Sequence, residues 1–206
     1  MNTKEKILNS ALNLFSTKGY SAVSVRNIAA EVGIRASSLY NHFESKQDIL
    51  DELIKVNIRY IKDFVEEMYM EYKINTKKYT NPESFSNNFI DSNLRIIKFL
   101  LENSTVVKFR KLLTIEQFSN PELSALYQKI FISDILKYES DFFTCLMENN
   151  IIIKADPYIL ALQFYSPIFL LLYDENKRNK DDYLNVKKHI FHFRDTYSMK
   201  GWLLWK

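Results

Sequence analysis

The sequence predicts an all-α protein, and three observations support that prediction. Glycine and proline are scarce, with 3 and 4 in 206 residues, which disfavours sheets joined by tight turns. Apolar residues recur at three- and four-residue spacings, the period of a helix face. Hydrophobic residues make up 47% of the chain and aromatic residues 15%, which supplies the volume for a packed core. We therefore predict about nine helices, divided between a small domain over residues 1–45 and a larger one over residues 46–206.

Three short helices are predicted near the N-terminus. An amphipathic helix over about residues 3–18 ends at Gly19, and Ser24 caps a second helix that ends at Gly33. A third helix follows Ile34-Arg35, with an inward face at i, i+3 and i+7 formed by Ala36, Leu39 and Phe43. Two helices of about two turns each, joined by a tight Gly-containing turn, fit the helix-turn-helix plan, in which the second helix enters the DNA major groove.

Arg35 stands where Ser, Thr, Asp or Asn would cap the third helix best. Losing such a cap costs about 0.5–2 kcal/mol, and a cation near a helix N-terminus also opposes the helix dipole. A residue that works against the local helix is expected where function overrides local preference. A guanidinium at this position can bond phosphate or the O6/N7 edge of guanine. The alternative, an exposed arginine at a turn, stays open.

The run IAAEVGIRASSLYNHFESKQDIL, preceded by FSTKGYSAVSV, resembles the N-terminal domain of the TetR family of bacterial transcription repressors. The resemblance covers roughly residues 4–54, and it departs from the family's frequent residues at Arg35 and Ala36, which leaves base preference open. For Tyr40 and His42, packing and capping inside the small domain is the alternative interpretation. We expect DNA contacts from Ser24, Arg26, Arg35, Ala36, Ser37, Ser38, Tyr40, Asn41, His42 and Lys46.

The positive charge of the chain lies at the end predicted to bind DNA. Residues 1–46 carry six basic and three acidic side chains, whereas the other 160 residues carry 22 of each. The net charge of +3 therefore belongs to the first 46 residues. This distribution suits attraction to phosphate.

Longer helices are predicted beyond the small domain. One spans about residues 46–72 and is followed by a polar loop over residues 73–83. Further helices are predicted over about 82–102, 105–118 and 121–149, the last with one side formed by Leu123, Leu126, Tyr127, Ile130, Phe131, Ile135 and Tyr138. Asp156-Pro157 opens the next helix, and a charged loop over 174–182 precedes the final one. The segment 198–206 is left unassigned.

The stretch Tyr158–Tyr173 is apolar on all sides, at 13 of its 16 positions. It is shorter than the ~20 residues of a membrane span, so both sides are expected to be buried, one of them against a second subunit. The resemblance implies that the last two helices of each subunit form a four-helix bundle in a homodimer. The expected interface residues are Tyr158, Leu162, Tyr165, Phe169, Val186, Ile190, Phe193 and Tyr197.

The resemblance also implies a ligand cavity in the larger domain, whose occupancy changes the distance between the two recognition helices. The many rings favour a small hydrophobic or aromatic effector. Ordinary core packing is the alternative for each candidate. The candidates are Phe64, Met68, Phe85, Phe89, Asn93, Phe109, Leu113, Glu116, Gln117, Phe131 and Phe164.

Motifs for catalysis, cofactors and export are not found. One cysteine, Cys145, excludes an intrachain disulfide, and the N-terminus lacks a signal peptide, so a cytoplasmic protein is expected. His189, His192 and Asp195 form only a weak metal pattern, and we expect no metal, cofactor or enzymatic activity. We predict a ligand-responsive repressor that binds a palindromic double-stranded DNA operator. The alternatives are a ligand-independent nucleoid or division-associated DNA-binding protein and an all-helical enzyme.

Overall fold

A computed structural model describes residues 2–76, 82–173 and 180–199, with side chains described outside 69–87 and 174–181. The described residues contain helices and one isolated β-bridge, between Ile152 and Ser198, which confirms the all-α prediction. Among them, no helix combines the length and the apolar character that crossing a membrane requires. The helices are α1 Thr3–Lys18, α2 Val25–Val32, α3 Ala36–Leu39, α4 Lys46–Thr76, α5 Pro82–Glu102, α6 Ser104–Glu116, α7 Pro121–Gln128, α8 Asp134–Glu148, α9 Pro157–Tyr173 and α10 Lys180–Tyr197.

Helix α2 begins and ends where the sequence predicts. The Ser24 hydroxyl accepts a hydrogen bond from the Asn27 N–H at 3.2 Å, and the Asn27 side-chain oxygen accepts one from the Ser24 N–H at 2.8 Å. This reciprocal pair satisfies two of the N–H groups that a helix start leaves without partners. Gly33 ends the helix with φ 77° and ψ 31°, a left-handed conformation that favours glycine.

Helix α3 is shorter than the two turns that the sequence predicts. Only four residues are α-helical, and the Arg35 side chain makes no capping hydrogen bond. The chain then tightens, because the N–H groups of Asn41 and His42 donate to the carbonyls three residues earlier, at 3.3 and 2.9 Å. Leu39 and Phe43 are buried as predicted, and Ala36 is half-buried.

Helix α4 starts at a cap formed by Ser45 and Asp48. The Asp48 N–H donates to the Ser45 hydroxyl at 3.0 Å, while the Asp48 carboxylate accepts from the N–H of Glu44 at 2.9 Å. The helix continues through Thr76, so the loop predicted from residue 73 does not begin there. No glycine or proline interrupts residues 73–76, and residues 77–81 lie outside the described part.

Helices α7 and α8 form the single long helix that the sequence predicts, but a π-helical turn over Lys129–Ser133 joins them. A π turn advances five residues instead of four. The buried positions therefore run Leu123, Tyr127 and Phe131 and then resume at Leu136 and Glu139, not at the predicted Ile135 and Tyr138. The hydroxyl of Tyr165 donates to the Phe131 carbonyl in this turn at 2.8 Å.

The chain forms two compact units. One contains the described residues up to Phe64 together with Glu102–Gln128, and the other contains Val65–Leu101 and the residues from Lys129 onward. Helix α4 contributes to both units. In the first unit α1 packs against α2 and α6, and its core includes Ile7, Ala11, Phe15, Ile28, Leu39, Phe43, Phe109 and Leu113. In the second unit α8 packs against α9, and rings of Phe89, Phe142, Phe143, Phe164 and Phe193 fill the core.

Candidate DNA-binding surface and candidate ligand cleft

The polar face of the helix-turn-helix lies on the surface of the first unit. Leu39 and Phe43 point into the core, with exposures of 0% and 2%. Their burial orients the intervening residues outward. Ser24, Arg26, Arg35, Ser37, Tyr40, Asn41 and His42 are exposed, and Ala36 and Ser38 are half-buried.

Ser24 is already engaged in the local structure of α2. Its hydroxyl donates to the Asn27 side-chain oxygen at 2.6 Å, as part of the helix cap. The α2 start therefore presents Arg26 and the first N–H groups of a capped helix. Backbone N–H groups at a helix start are suitable partners for a phosphate.

Lys46 has a structural role that the sequence interpretation did not include. Its ammonium donates to the carbonyls of Tyr20 and Val23, each at 2.9 Å. It also lies 4.1 Å from the centroid of the Tyr20 ring, a cation–π contact. Lys46 thus holds the loop between α1 and α2 from the start of α4. Its proposed contact with phosphate stays a prediction.

Glu116 fixes the same loop from α6. Its carboxylate accepts a hydrogen bond from the Tyr20 N–H at 2.7 Å. The loop begins at Gly19, where φ is 78° and ψ is 158°, a region nearly restricted to glycine. A Cβ at Gly19 would lie 3.2 Å from a Glu116 oxygen, so the Glu116 side chain would have to move by a few tenths of an ångström to admit it. Burial, followed by the charges of Asp51 and Glu116, raises the pKa of Tyr20.

Five residues of the predicted ligand pocket belong to the first unit. Phe109, Leu113 and Glu116 lie in the first unit, where Phe109 and Leu113 are buried in its core and Glu116 holds the loop. Gln117 donates to the Thr114 carbonyl at 3.1 Å at the end of α6. Phe64 is half-buried at the end of the first unit's part of α4.

A cleft lies in the second unit between residues of α4, α5 and α8. Of the predicted pocket residues, Met68 and Asn93 line this cleft, whereas Phe89 stacks on Phe142 behind its wall, with ring centroids 5.9 Å apart. Phe131 and Phe164 are buried in the core of the unit, and the side chain of Phe85 lies outside the described residues. The full lining is Met68, Ser92, Asn93, Ile96, Tyr138, Glu139 and Phe142.

The predicted pocket does not include five of the residues that line this cleft, and the one with an ionisable carboxyl is Glu139. It is 5% exposed, and its burial raises the pKa of the carboxyl from the usual 4.5 to about 8. A signal was present, because Leu136, Glu139, Phe143 and Leu146 repeat at helical spacing and a glutamate interrupts this otherwise apolar stripe. Helical spacing alone predicts a stripe through Ile135 and Tyr138, because the sequence has no distinct signal for the π turn.

The predicted dimer interface is only partly exposed. Tyr165, Val186, Ile190 and Phe193 are buried within the subunit's own core, so these four side chains do not form an outer face. Tyr158 is exposed, and Leu162, Phe169 and Tyr197 are half-buried. The exposed apolar side chains of α9 and α10 also include Ile159, Leu170, Tyr173 and Leu184.

The weak metal pattern on α10 does not form a site. A nitrogen of the His189 ring lies 2.9 Å from the Phe164 carbonyl, which accounts for this histidine. Within residues 2–76, 82–173 and 180–199, no three His, Cys, Asp or Glu side chains are grouped in a way that could hold a metal ion.

Comparison with known proteins identifies the N-terminal segment. Residues 7–53 match the sequence model of the family described as bacterial regulatory proteins, tetR family. The chain is 39% identical over 62 residues to IcaR of Staphylococcus aureus (strain Newman), a helix-turn-helix negative transcriptional regulator of the biofilm operon icaADBC. That alignment covers 30% of this chain and 33% of IcaR, so the chain spans about a third of the curated relative.

Solved structures share the fold over nearly the whole chain. A protein of Mesorhizobium loti MAFF303099, described as a TetR-family transcriptional regulator, has a TM-score of 0.69 at 19% identity. The superposition covers 96% of this chain and 97% of the Mesorhizobium loti chain. A transcriptional regulator of Saccharomonospora viridis, solved in complex with choline, has a TM-score of 0.66 at 17% identity, with 96% and 98% covered. At these identities the likeness establishes the fold.

Proposed function

We propose that this chain, which carries the N-terminal domain of the tetR family of bacterial regulatory proteins, is a DNA-binding repressor of transcription that responds to a small ligand. It binds a palindromic operator as a homodimer in the cytoplasm. Residues 1–45 form the DNA-binding domain, and residues 46–206 provide dimerisation and ligand binding. The match to the family over residues 7–53 and the fold shared with solved regulators support this proposal.

The observation that carries the proposal is the outward polar face of Arg35 to His42 on the buried anchors Leu39 and Phe43. Arg35 and Ser37 stand at the leading end of α3, where side chains can reach base edges. Arg26, Tyr40 and His42 flank it and suit phosphate contacts, which position a protein on the duplex without reading its sequence.

A second copy of the chain is proposed to pack on the exposed side of α9 and α10. Tyr158, Leu162, Phe169 and Tyr197 keep exposed surface there, joined by Ile159 and Leu170. Leu170 is 70% exposed, and exposed apolar side chains that lie close together are typical of a surface that a partner covers. Two recognition helices would then meet successive major grooves about 34–36 Å apart.

The effector is proposed to bind in the second unit, in the cleft between α4, α5 and α8. Its apolar and aromatic walls favour a small molecule with a hydrophobic or aromatic body. The choline complex of the Saccharomonospora viridis protein supports a ligand-binding role for this fold. The competing function is a nucleoid or division-associated protein that binds DNA through the same helix-turn-helix without a ligand.

Selection from fragmented genomic DNA tests the DNA-binding function. The purified protein should retain fragments that share a palindrome, and Arg35→Ala should weaken binding to that sequence by about 1–3 kcal/mol if the guanidinium reads a guanine. The matched control is Lys154→Ala, which removes an exposed cation from a loop of the second unit and should leave affinity unchanged. Retained fragments without a common sequence, or equal losses in both variants, would contradict the operator model.

A further inference from the structure

The cleft of the second unit contains a buried acid with no compensating cation in its lining. Glu139 is 5% exposed, and the lining residues that the structure describes include no lysine or arginine. Tyr138 is the only other titratable side chain among those lining residues. A buried carboxylate is costly unless it is paired or protonated, and a positive charge from outside the chain would supply the partner that the lining lacks.

We propose that the cleft takes an organic cation, a protonated amine carried on a small apolar or aromatic body, with Glu139 as its counterion. This inference rests on the proposed function, because it names the chemical class of the effector.

The groups around Glu139 match the requirements of an ammonium ion. Asn93 donates its side-chain amide to the Phe89 carbonyl at 2.8 Å, which leaves its amide oxygen to accept a hydrogen bond from a ligand. The rings of Phe142 and Tyr138 also line the cleft, and aromatic rings attract cations. An anion would meet no positive side chain among the described lining residues, and its charge would oppose ionisation of Glu139.

Cation binding should be coupled to release of a proton. Burial raises the pKa of Glu139 to about 8, so at pH 7 the carboxyl is protonated in about nine molecules of ten. A bound ammonium favours the carboxylate, and the proton of Glu139 passes to the buffer. About 0.9 proton per bound cation is therefore expected at pH 7.

The cleft must widen to admit a ring. The volume of the cleft that solvent can occupy is about 10 Å³, which is roughly enough for one water molecule. Met68 forms part of the wall, and its unbranched side chain has three rotatable bonds and adapts readily to a new neighbour. We therefore expect a ligand of modest size to enter by displacing the Met68 side chain.

Isothermal titration calorimetry with two matched probes tests the proposal. Benzylammonium and benzyl alcohol have the same number of non-hydrogen atoms, but only the first is charged. The intact protein, without DNA, should bind benzylammonium about tenfold or more tighter than benzyl alcohol. Titrations in two buffers of different ionisation enthalpy should give about 0.9 proton released at pH 7.

Glu139→Gln keeps the shape of the side chain and removes its ability to ionise. This variant should lose the preference for benzylammonium and the proton release. The control is Glu148→Gln, which removes an exposed carboxylate from the end of the same helix and should behave as the wild type. Equal binding of both probes by the wild type, binding without proton release, or a preference that survives in Glu139→Gln would overturn the proposal.

The two proposals can fail separately. A protein that retains an operator but shows no preference for benzylammonium keeps the repressor function and loses the cation site. A protein that binds benzylammonium with Glu139-dependent proton release but retains no operator supports the cation site and contradicts the repressor.

Discussion

Replacing Glu139 by glutamine should change the stability of the protein in a way that depends on pH. Burial raises the pKa of this carboxyl from 4.5 to about 8, so the folded protein holds the proton more tightly than the unfolded chain. The stabilisation that this proton provides is fully present below about pH 4.5 and is lost as the pH rises through 8. Glutamine does not titrate, so the variant lacks this loss.

The size of the effect follows from the two pKa values. They differ by 3.5 pH units, and at about 1.36 kcal/mol per unit the full effect is about 5 kcal/mol. Between pH 5 and pH 9 the wild type should lose about 4 kcal/mol of unfolding free energy relative to Glu139→Gln. This value is a ceiling, because water entering the cleft would solvate the carboxylate.

Urea unfolding followed by circular dichroism at pH 5, 7 and 9 measures this difference. All variants need the same protein concentration, because association with a second chain stabilises the folded state. The contributions of other titrating groups to the pH dependence of the unfolding free energy cancel between the wild type and the variant. Glu148→Gln serves as the control for loss of one exposed charge. A difference that stays constant from pH 5 to pH 9 would refute the assigned burial of a raised-pKa carboxyl.

Three further substitutions test the loop and the proposed interface. Lys46→Met should lower the unfolding free energy by about 1–3 kcal/mol, because two charge-assisted hydrogen bonds to carbonyls are lost. If the stability did not change and the salt dependence of DNA affinity fell by about one, Lys46 would instead be a phosphate contact. Gly19→Ala should lower the unfolding free energy, measured in urea, by about 1–3 kcal/mol. The loss should exceed that of Gly33→Ala, because a Cβ at Gly19 would meet Glu116 and a Cβ at Gly33 would have no atom within 4 Å. Equal losses in the two variants would contradict this reasoning. Leu170→Glu should shift sedimentation equilibrium toward monomers while leaving the helical content unchanged, and an unaltered mass would place the interface elsewhere.

The helix-turn-helix was predictable because its signals are local. Ser24 and Asn27 are three residues apart, and Gly33 ends α2 by its own backbone conformation. The inward positions Leu39 and Phe43 also follow from helical spacing alone. The length of α3 was overestimated, since the tighter hydrogen bonding after Leu39 has no distinct residue pattern.

The contacts that hold the α1–α2 loop were not predictable in the same way. Lys46 meets Val23 across 23 residues, and Glu116 meets Tyr20 across 96. The sequence predicts Glu116 as a ligand-pocket residue, because a polar residue on an apolar helix fits either place. Only the packing of α1 against α6 distinguishes the two.

The sequence by itself determined the helical fold class, the capped helix-turn-helix and the side of α3 that faces solvent, because caps and periodic stripes involve neighbouring residues. The tertiary structure decided which partner each stripe is buried against. Val186 and Ile190 show the difference, because their spacing predicts burial but only packing reveals that their own subunit buries them. The π turn before α8 is a second feature that the sequence did not predict. Its extra residue brings Glu139 to the cleft, although the residues around Glu139 keep the ordinary helical period.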